Sequence, residues 1–339
     1  MTILLDAMGG DNAPDASIKG AVKAAKEIKS QIILVGKEEV IKSKLKEFYG
    51  TEDISKISPN LKIENATEEI VMEDIPTQAI KQKKDSSMVV GFRMLKEGKA
   101  DAFVSAGNSG ALLTGATLLV GRIKGIDRPA LAPMLPAYKK SFMLIDAGSN
   151  TNCKVENLVQ FAQMANIYLK NTYGIKEPKI GLLNIGTEEH KGNELMKETY
   201  KALTEKSEEL GIKFIGNIEG REIFAGEIDA VVTDGFTGNV FLKTVEGMGK
   251  LIKRTLTENL KKNIFRKIGA IGALPSIKAL SKAMDYKEYG GALFLGVKKP
   301  VIKAHGSSDE RLFYTTLKQA ENFAKSTAIE ELEKEISKM

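Results

Sequence analysis

An apolar run, Ile3-Leu4-Leu5, passes directly into Asp6-Ala7-Met8-Gly9-Gly10-Asp11-Asn12-Ala13-Pro14. A helical repeat follows, with Ile18, Ala21, Val22, Ala25 and Ile28 on one face. From its first residues the chain is thus committed to a strand, a glycine turn and a helix, with Pro14 suited to the first helical turn. Such a turn points backbone N–H groups at whatever lies beyond the C-terminal end of the strand. The spacing argues against a dinucleotide site, which requires G-x-G-x-x-G here. Gly9 and Gly10 are adjacent and flanked by Asp6 and Asp11, whose carboxylates repel a pyrophosphate.

The same alternation continues along the chain. Strands are predicted near Ile3–Leu5, Gln31–Val35, Lys62–Asn65, Ala102–Ser105, Leu131–Leu135, Phe142–Ile145, Ile180–Asn184, Lys213–Gly216, Ala230–Thr233 and Val301–Lys303. Helical patterns include Glu156–Asn171, Glu194–Glu208 and Glu310–Lys325. This order predicts a mostly parallel sheet covered by helices on both faces, as one large α/β domain over residues 1–339. Residues 37–85 are charge-rich and weakly patterned, which predicts flanking helices and a mobile loop around Glu68–Gln78.

Further turns rich in glycine and asparagine close several strands: Ser105-Ala106-Gly107-Asn108-Ser109-Gly110, Asp146-Ala147-Gly148-Ser149-Asn150, Asn184-Ile185-Gly186-Thr187, Thr233-Asp234-Gly235-Phe236-Thr237-Gly238-Asn239 and His305-Gly306-Ser307-Ser308. In a parallel sheet these ends share one side, where ligands bind. Together with the first turn they predict one crevice rich in N–H groups, hydroxyls and amides, suited to phosphate. Each turn alone is equally well a tight connection, and asparagine there equally a turn former.

The remaining composition restricts the chemistry. Cys153 is the single cysteine, so no internal disulfide forms, as in a reducing cytoplasm. His190 and His305 are the two histidines, so designs that need histidine pairs or zinc clusters are not expected. No charged leader precedes the first strand, and no apolar run approaches the roughly 18 residues of a membrane span. A cytoplasmic protein without metal or organic cofactor is expected.

The run Asp6–Asp11, then Ser105–Ala111, Arg128-Pro129-Ala130, Gly181-Leu182-Leu183-Asn184-Ile185-Gly186, Thr233–Asn239, Tyr289-Gly290-Gly291-Ala292 and His305-Gly306, taken in order, resembles one family. It is the bacterial acyl-acyl carrier protein:phosphate acyltransferase family of phospholipid synthesis, and the resemblance runs from about Ile3 to about Leu317. It implies transfer of a long fatty acyl group from acyl carrier protein to inorganic phosphate. It also implies a three-layer α/β/α sandwich similar to isocitrate dehydrogenases and phosphotransacetylases, a homodimer, and loose association with the membrane.

That reaction makes modest demands. Phosphate is substantially dianionic at neutral pH, and a thiol with a pKa of about 8.5 leaves readily. Positioning and oxyanion stabilisation therefore matter more than a strong base. Lys191 and Asn239 are the expected catalytic residues, with His305 as a proton carrier or a turn cap. Substrate contacts are expected from Asp6, Gly9, Gly10, Asp11, Gly107, Asn108, Ser109, Asn150, Asn184, Gly186, Arg221, Asp234 and Gly238. Arg221 equally suits an ion pair with Glu219 or Glu222. Cys153 reads as a small buried apolar residue.

Charge is concentrated between Lys250 and Met284, which hold nine basic residues against one acidic, Glu258. That segment carries +8 and the rest of the chain −2. Residues 240–287 read as a protruding helical hairpin with an apolar tip. Lys253, Arg254, Lys261, Lys262, Arg266, Lys267, Ile268, Ile271 and Leu274 are its expected contacts. They suit acidic acyl carrier protein, an anionic membrane, or a membrane acyltransferase that takes the acyl phosphate. A dimer interface is the alternative use of its apolar faces. Aromatic residues are nearly absent from it, against nucleic acid. Two other readings remain: a short-chain phosphotransacetylase using coenzyme A, and a non-catalytic carrier-protein or membrane-surface adaptor.

Overall fold

The computed structural model describes residues 1–262, 272–277, 279–280 and 288–337. The predicted alternation of strand and helix is present, with the strands divided between two sheets. The first has the order β3 (Leu61–Asn65), β2 (Gln31–Gly36), β1 (Thr2–Asp6), β4 (Ala102–Ser105), β12 (Val301–Lys303), β11 (Ala292–Leu295) and β5 (Ala130–Ala132). The second has the order β6 (Met134–Ala137), β7 (Lys140–Ile145), β10 (Ala230–Val232), β8 (Lys179–Asn184) and β9 (Lys213–Glu219). Pairing is parallel except for β11 with both its neighbours and β6 with β7.

Successive residues of the central strands enter opposite cores. Ile3 and Leu5 of β1 pack with Ile32 and Leu34 of β2 in one cluster, whereas Leu4, Ile33 and Val35 belong to another. That period of two, apolar on both sides, is what a strand covered by helices on both faces requires. Helix α1 (Asp15–Ala25) contributes Ile18, Ala21, Val22 and Ala25 to the first core, and α9 (Glu310–Lys325) contributes Phe313, Leu317 and Ala320. On the opposite face, α4 (Ser87–Lys96) buries Val90, Phe92 and Leu95.

Three expectations need amendment. The strand expected over Leu131–Leu135 is two strands, because Pro133 has no N–H to donate to a ladder. There the chain leaves the first sheet as β5 and enters the second as β6. Strand β11 carries no sequence signal of its own; it is four residues between glycines and pairs antiparallel. The segment around Glu68–Gln78 is tied down. The Asp74 carboxylate accepts from Val71 N at 2.8 Å and Lys83 Nζ at 2.5 Å, and the Asn108 amide donates to the carbonyls of Val71, Met72 and Asp74.

The expected hairpin begins as α8 (Gly235–Lys261), a helix of 27 residues of which Gly235 and Gly238 are buried. Residues 272–277 are again helical, and Leu274 is exposed. Arg266, Lys267, Ile268 and Ile271 lie outside the described residues. Among the described residues no helix is long and apolar enough to cross a membrane.

Candidate active site

The C-terminal strand ends of both sheets face one cleft of about 910 Å³. Asp11, Ser109, Lys303, His305 and Ser307 line it from the first sheet, and Ala147 and Asn239 from the second. Along α8 its wall turns apolar, with Leu242, Val245, Ile252 and Leu256 opposite Leu131, Pro133, Met134 and Leu135.

Three loops interlock beneath the polar end. Asp11 N donates to the Gly306 carbonyl at 2.8 Å, and the Asn12 amide donates to the Ser308 carbonyl at 3.1 Å. A Cβ on Gly9 would stand 2.5 Å from Asp6 Oδ2 and 2.7 Å from Gly107 N, so the loops after β1 and β4 meet backbone to backbone. The acidic residues that seemed unsuited to an anion site are mostly turned inward. Asp6 is buried and accepts from Ser105 Oγ at 2.7 Å and Met8 N at 3.1 Å. Burial pushes its carboxyl above the ordinary range, against these hydrogen bonds.

Asp146 plays the same part in the second sheet. Its carboxylate accepts from the backbone N–H of Leu131, Gly148, Ser149 and Asn150 and from the Asn150 side chain. Burial raises its pKa as well, while those donors pull it down. Asp234 caps α8 through Thr237 N at 2.9 Å. Gly238 lies directly on this loop, because a Cβ there would stand 1.9 Å from the Asp146 carbonyl oxygen. Asn239, one residue on, donates its amide to the Ala147 carbonyl at 3.1 Å.

His305 closes the cleft beside α8. Ser307 N donates to its Nδ1 at 3.2 Å, which puts the proton of the neutral ring on Nε2. Glu246 Oε2 stands 3.7 Å from that Nε2 and 3.0 Å from Lys243 Nζ. Burial works against the Glu246 charge, but the hydrogen bonds and charges of His305 and Lys243 outweigh it and hold the carboxyl at about 2.

The structure therefore brings Asp11, Ser109, Asn239, His305 and Lys253 to the cleft, with Asp6, Gly9, Gly10, Gly107, Asn150, Asp234 and Gly238 supporting its loops. Asn108 caps the following helix through Ala111 N. Lys191 does not line the cleft. It lies beyond β8, where the Asn184 amide donates to its carbonyl at 3.1 Å and its Nζ stands 3.9 Å from Glu188. Gly186 belongs to the same turn, because a Cβ on it would meet Glu188 and Lys191. Arg221 is 80% exposed and pairs with Glu219 at 2.5 Å. Cys153 is half-buried, and burial pushes its thiol up to about 11, which suits an inert residue. Lys243, Glu246 and Lys303 had not been singled out from the sequence. For Lys303 a signal existed, a lysine closing the apolar pair Val301-Ile302 just before a glycine turn.

Residues 1–331 match the model of a family described as fatty acid synthesis protein. The phosphate acyltransferase of Thermoanaerobacter pseudethanolicus is 47% identical over all of this chain and 98% of its own length. That of Clostridium kluyveri is 45% identical over 100% and 98%. Among solved structures, a phosphotransacetylase from Streptococcus pyogenes superposes with a TM-score of 0.60 at 16% identity, covering 97% of this chain and 94% of its own, a likeness of fold.

Proposed function

The chain belongs to the fatty acid synthesis protein family that its phosphate acyltransferase relatives represent, and on that premise we propose that it transfers a long fatty acyl group from acyl carrier protein to inorganic phosphate. The cleft's two-part character carries this reading. One end offers Ser109, Asn239 and His305 to a small polar group; the other runs apolar along α8. At about 1.5 Å per residue, Leu242 and Leu256 stand about 21 Å apart, far more than an acetyl group requires.

In the reaction a phosphate oxygen attacks the thioester carbonyl, the C–S bond breaks, and the proton of the phosphate dianion ends on the departing thiolate. No net proton enters from solution, so the site needs orientation and an oxyanion partner more than a base. Asn239, fixed by Ala147, supplies a rigid amide at the carbonyl. Lys191 stands on the same C-terminal edge of the second sheet. Its ammonium is half-exposed with one 3.9 Å ion pair to Glu188, and it lies outside the cleft lining, so a role at the thioester oxygen requires its turn to approach the bound substrate. His305 carries the proton between phosphate and sulfur.

Lys253 in the cleft wall, with Arg254, Lys261 and Lys262 farther along α8, receives the acidic carrier. The opposite face of α8 exposes Val240, Met248 and Leu251, an apolar stripe suited to a second copy of the chain or to a membrane surface. The test is formation of acyl phosphate from palmitoyl-acyl carrier protein and inorganic phosphate, trapped with hydroxylamine. Phosphate-dependent product supports the reading. Turnover of acetyl-coenzyme A but not of the carrier thioester replaces it with the short-chain reaction.

A further inference from the structure

Lys303 ends β12 with its side chain directed inward, and it is 8% exposed. Its ammonium donates to the carbonyls of Ala106 at 3.0 Å and Ala304 at 2.7 Å. Among the described residues no carboxylate lies within ion-pair distance of it; Asp6 and Asp11 act on it from farther away. A buried ammonium with two carbonyls and no paired carboxylate is poorly compensated, because the desolvation of a charge exceeds what neutral acceptors return. Yet Lys303 belongs to the lining of the cleft's polar end, with Ser109, His305 and Ser307. A plain staple between the β4 and β12 loops would not need a full charge there.

We propose that Lys303 is the cation that binds the acceptor phosphate, holding the loops after β4 and β12 with two N–H groups and turning the third to the anion. The proposal rests on the phosphate-acceptor reading above and goes beyond it by naming the residue that selects the acceptor.

The surroundings make this binding pH-dependent. Burial lowers the Lys303 pKa to about 8, Asp6 on β1 and Asp11 after it raise it, and Lys243 on α8 lowers it. Glu246 on α8, His305 two residues after Lys303, and Arg311 at the start of α9, which pairs with Glu288, also line the cleft there. Above about pH 8 Lys303 in the empty site loses its charge. An arriving dianion restores it, so phosphate binding takes up a proton from solution and weakens as pH rises further.

The test is calorimetry of inorganic phosphate binding to the full chain at pH about 8.5, in two buffers of different ionisation enthalpy. Phosphate is already dianionic there, so proton uptake reports on the protein. Net uptake is expected in the wild type. Lys303→Arg, always charged, keeps binding without uptake. Lys303→Met loses uptake and raises the KM for phosphate roughly tenfold or more, with the KM for the acyl donor within about twofold.

Absence of uptake in the wild type overturns the proposal, whether or not the variants fold. So does an unchanged phosphate KM in Lys303→Met with a fall in kcat alone, which is the signature of a loop staple. Acyl-phosphate formation measured in parallel separates the two levels. No product from wild type defeats the reaction itself, whereas normal product with phosphate binding indifferent to residue 303 defeats the assignment of Lys303.

Discussion

The Asn239 side chain reaches across to the Ala147 carbonyl, 92 positions away in sequence, and donates to it at 3.1 Å. This bond joins the first turn of α8 to the loop after β7 and fixes an amide in the cleft wall. Asn239→Ala removes both the amide and the tie. A fall in kcat of about 10²-fold is expected, the scale of a lost oxyanion donor. Steady-state kinetics with the carrier thioester measure it, and a change confined to KM would count against the assigned role.

Lys191→Ala tests the catalytic role proposed for a lysine outside the cleft lining. Lys191 is substantially exposed, with one long ion pair, so its removal should change stability by no more than about 0.5 kcal/mol. Activity should nevertheless fall by about tenfold or more if its ammonium meets the thioester oxygen. Unchanged kcat would remove Lys191 from the mechanism.

Gly238→Ala is a packing test. The new methyl would stand 1.9 Å from the Asp146 carbonyl oxygen, which belongs to backbone and cannot swing aside. A loss of about 1–3 kcal/mol in urea unfolding is expected, with activity falling alongside as the Asp146 loop shifts. Wild-type stability would show that this contact gives way freely.

Glu246→Gln probes the link between His305 and α8 through acid. The folded-state carboxyl is held at about 2, below its ordinary 4.5, so its stabilisation is present above pH 4.5 and is lost as pH falls toward 2. The stability difference between wild type and variant, followed by denaturant titration, should therefore shrink across that window. A difference independent of pH would show that the ion pairs with His305 and Lys243 contribute nothing.

Reversing charge at Lys253, Arg254, Lys261 and Lys262 to Glu should raise the KM for the carrier thioester by about tenfold or more and invert its response to salt. Phosphate saturation should be little affected, because these residues lie toward the far end of α8. Equal rates with wild type would exclude the basic arm as the carrier's landing surface.

The sequence made the strand order along the chain legible wherever a strand was buried on both faces, because β1, β2 and β4 read as continuous apolar runs bounded by turns. It was silent where pairing is decided far away. The division at Pro133 depends on which sheet each flanking residue meets, and β11 exists because β5 and β12 both lie beside it. The site followed the same pattern. Asn239 and His305 were visible because they sit in glycine turns. Asp6 and Asp146 were legible as carboxylates that orient amides, but not their partners, since Ser105 and Leu131 come from distant parts of the chain. Lys303 carried only its place after Val301-Ile302 and before a glycine turn as a signal, and the carbonyl of Ala106 that holds its side chain inward lies 197 positions away.

The crossing at Pro133 has a mechanical consequence. The polar floor and the wall bearing Asn239 belong to separate sheets, joined by the strap β5–β6, by the bond that Asp146 accepts from Leu131 N, and by one apolar core that holds Ile3 and Leu5 together with Ile145 and Leu182. That shared core sets the width of the opening between the two sheets. On the proposed reading, accommodation of the acyl chain and alignment of the reacting groups fall to different parts of the cleft, the apolar wall along α8 and the loops that carry Asn239 and Lys303.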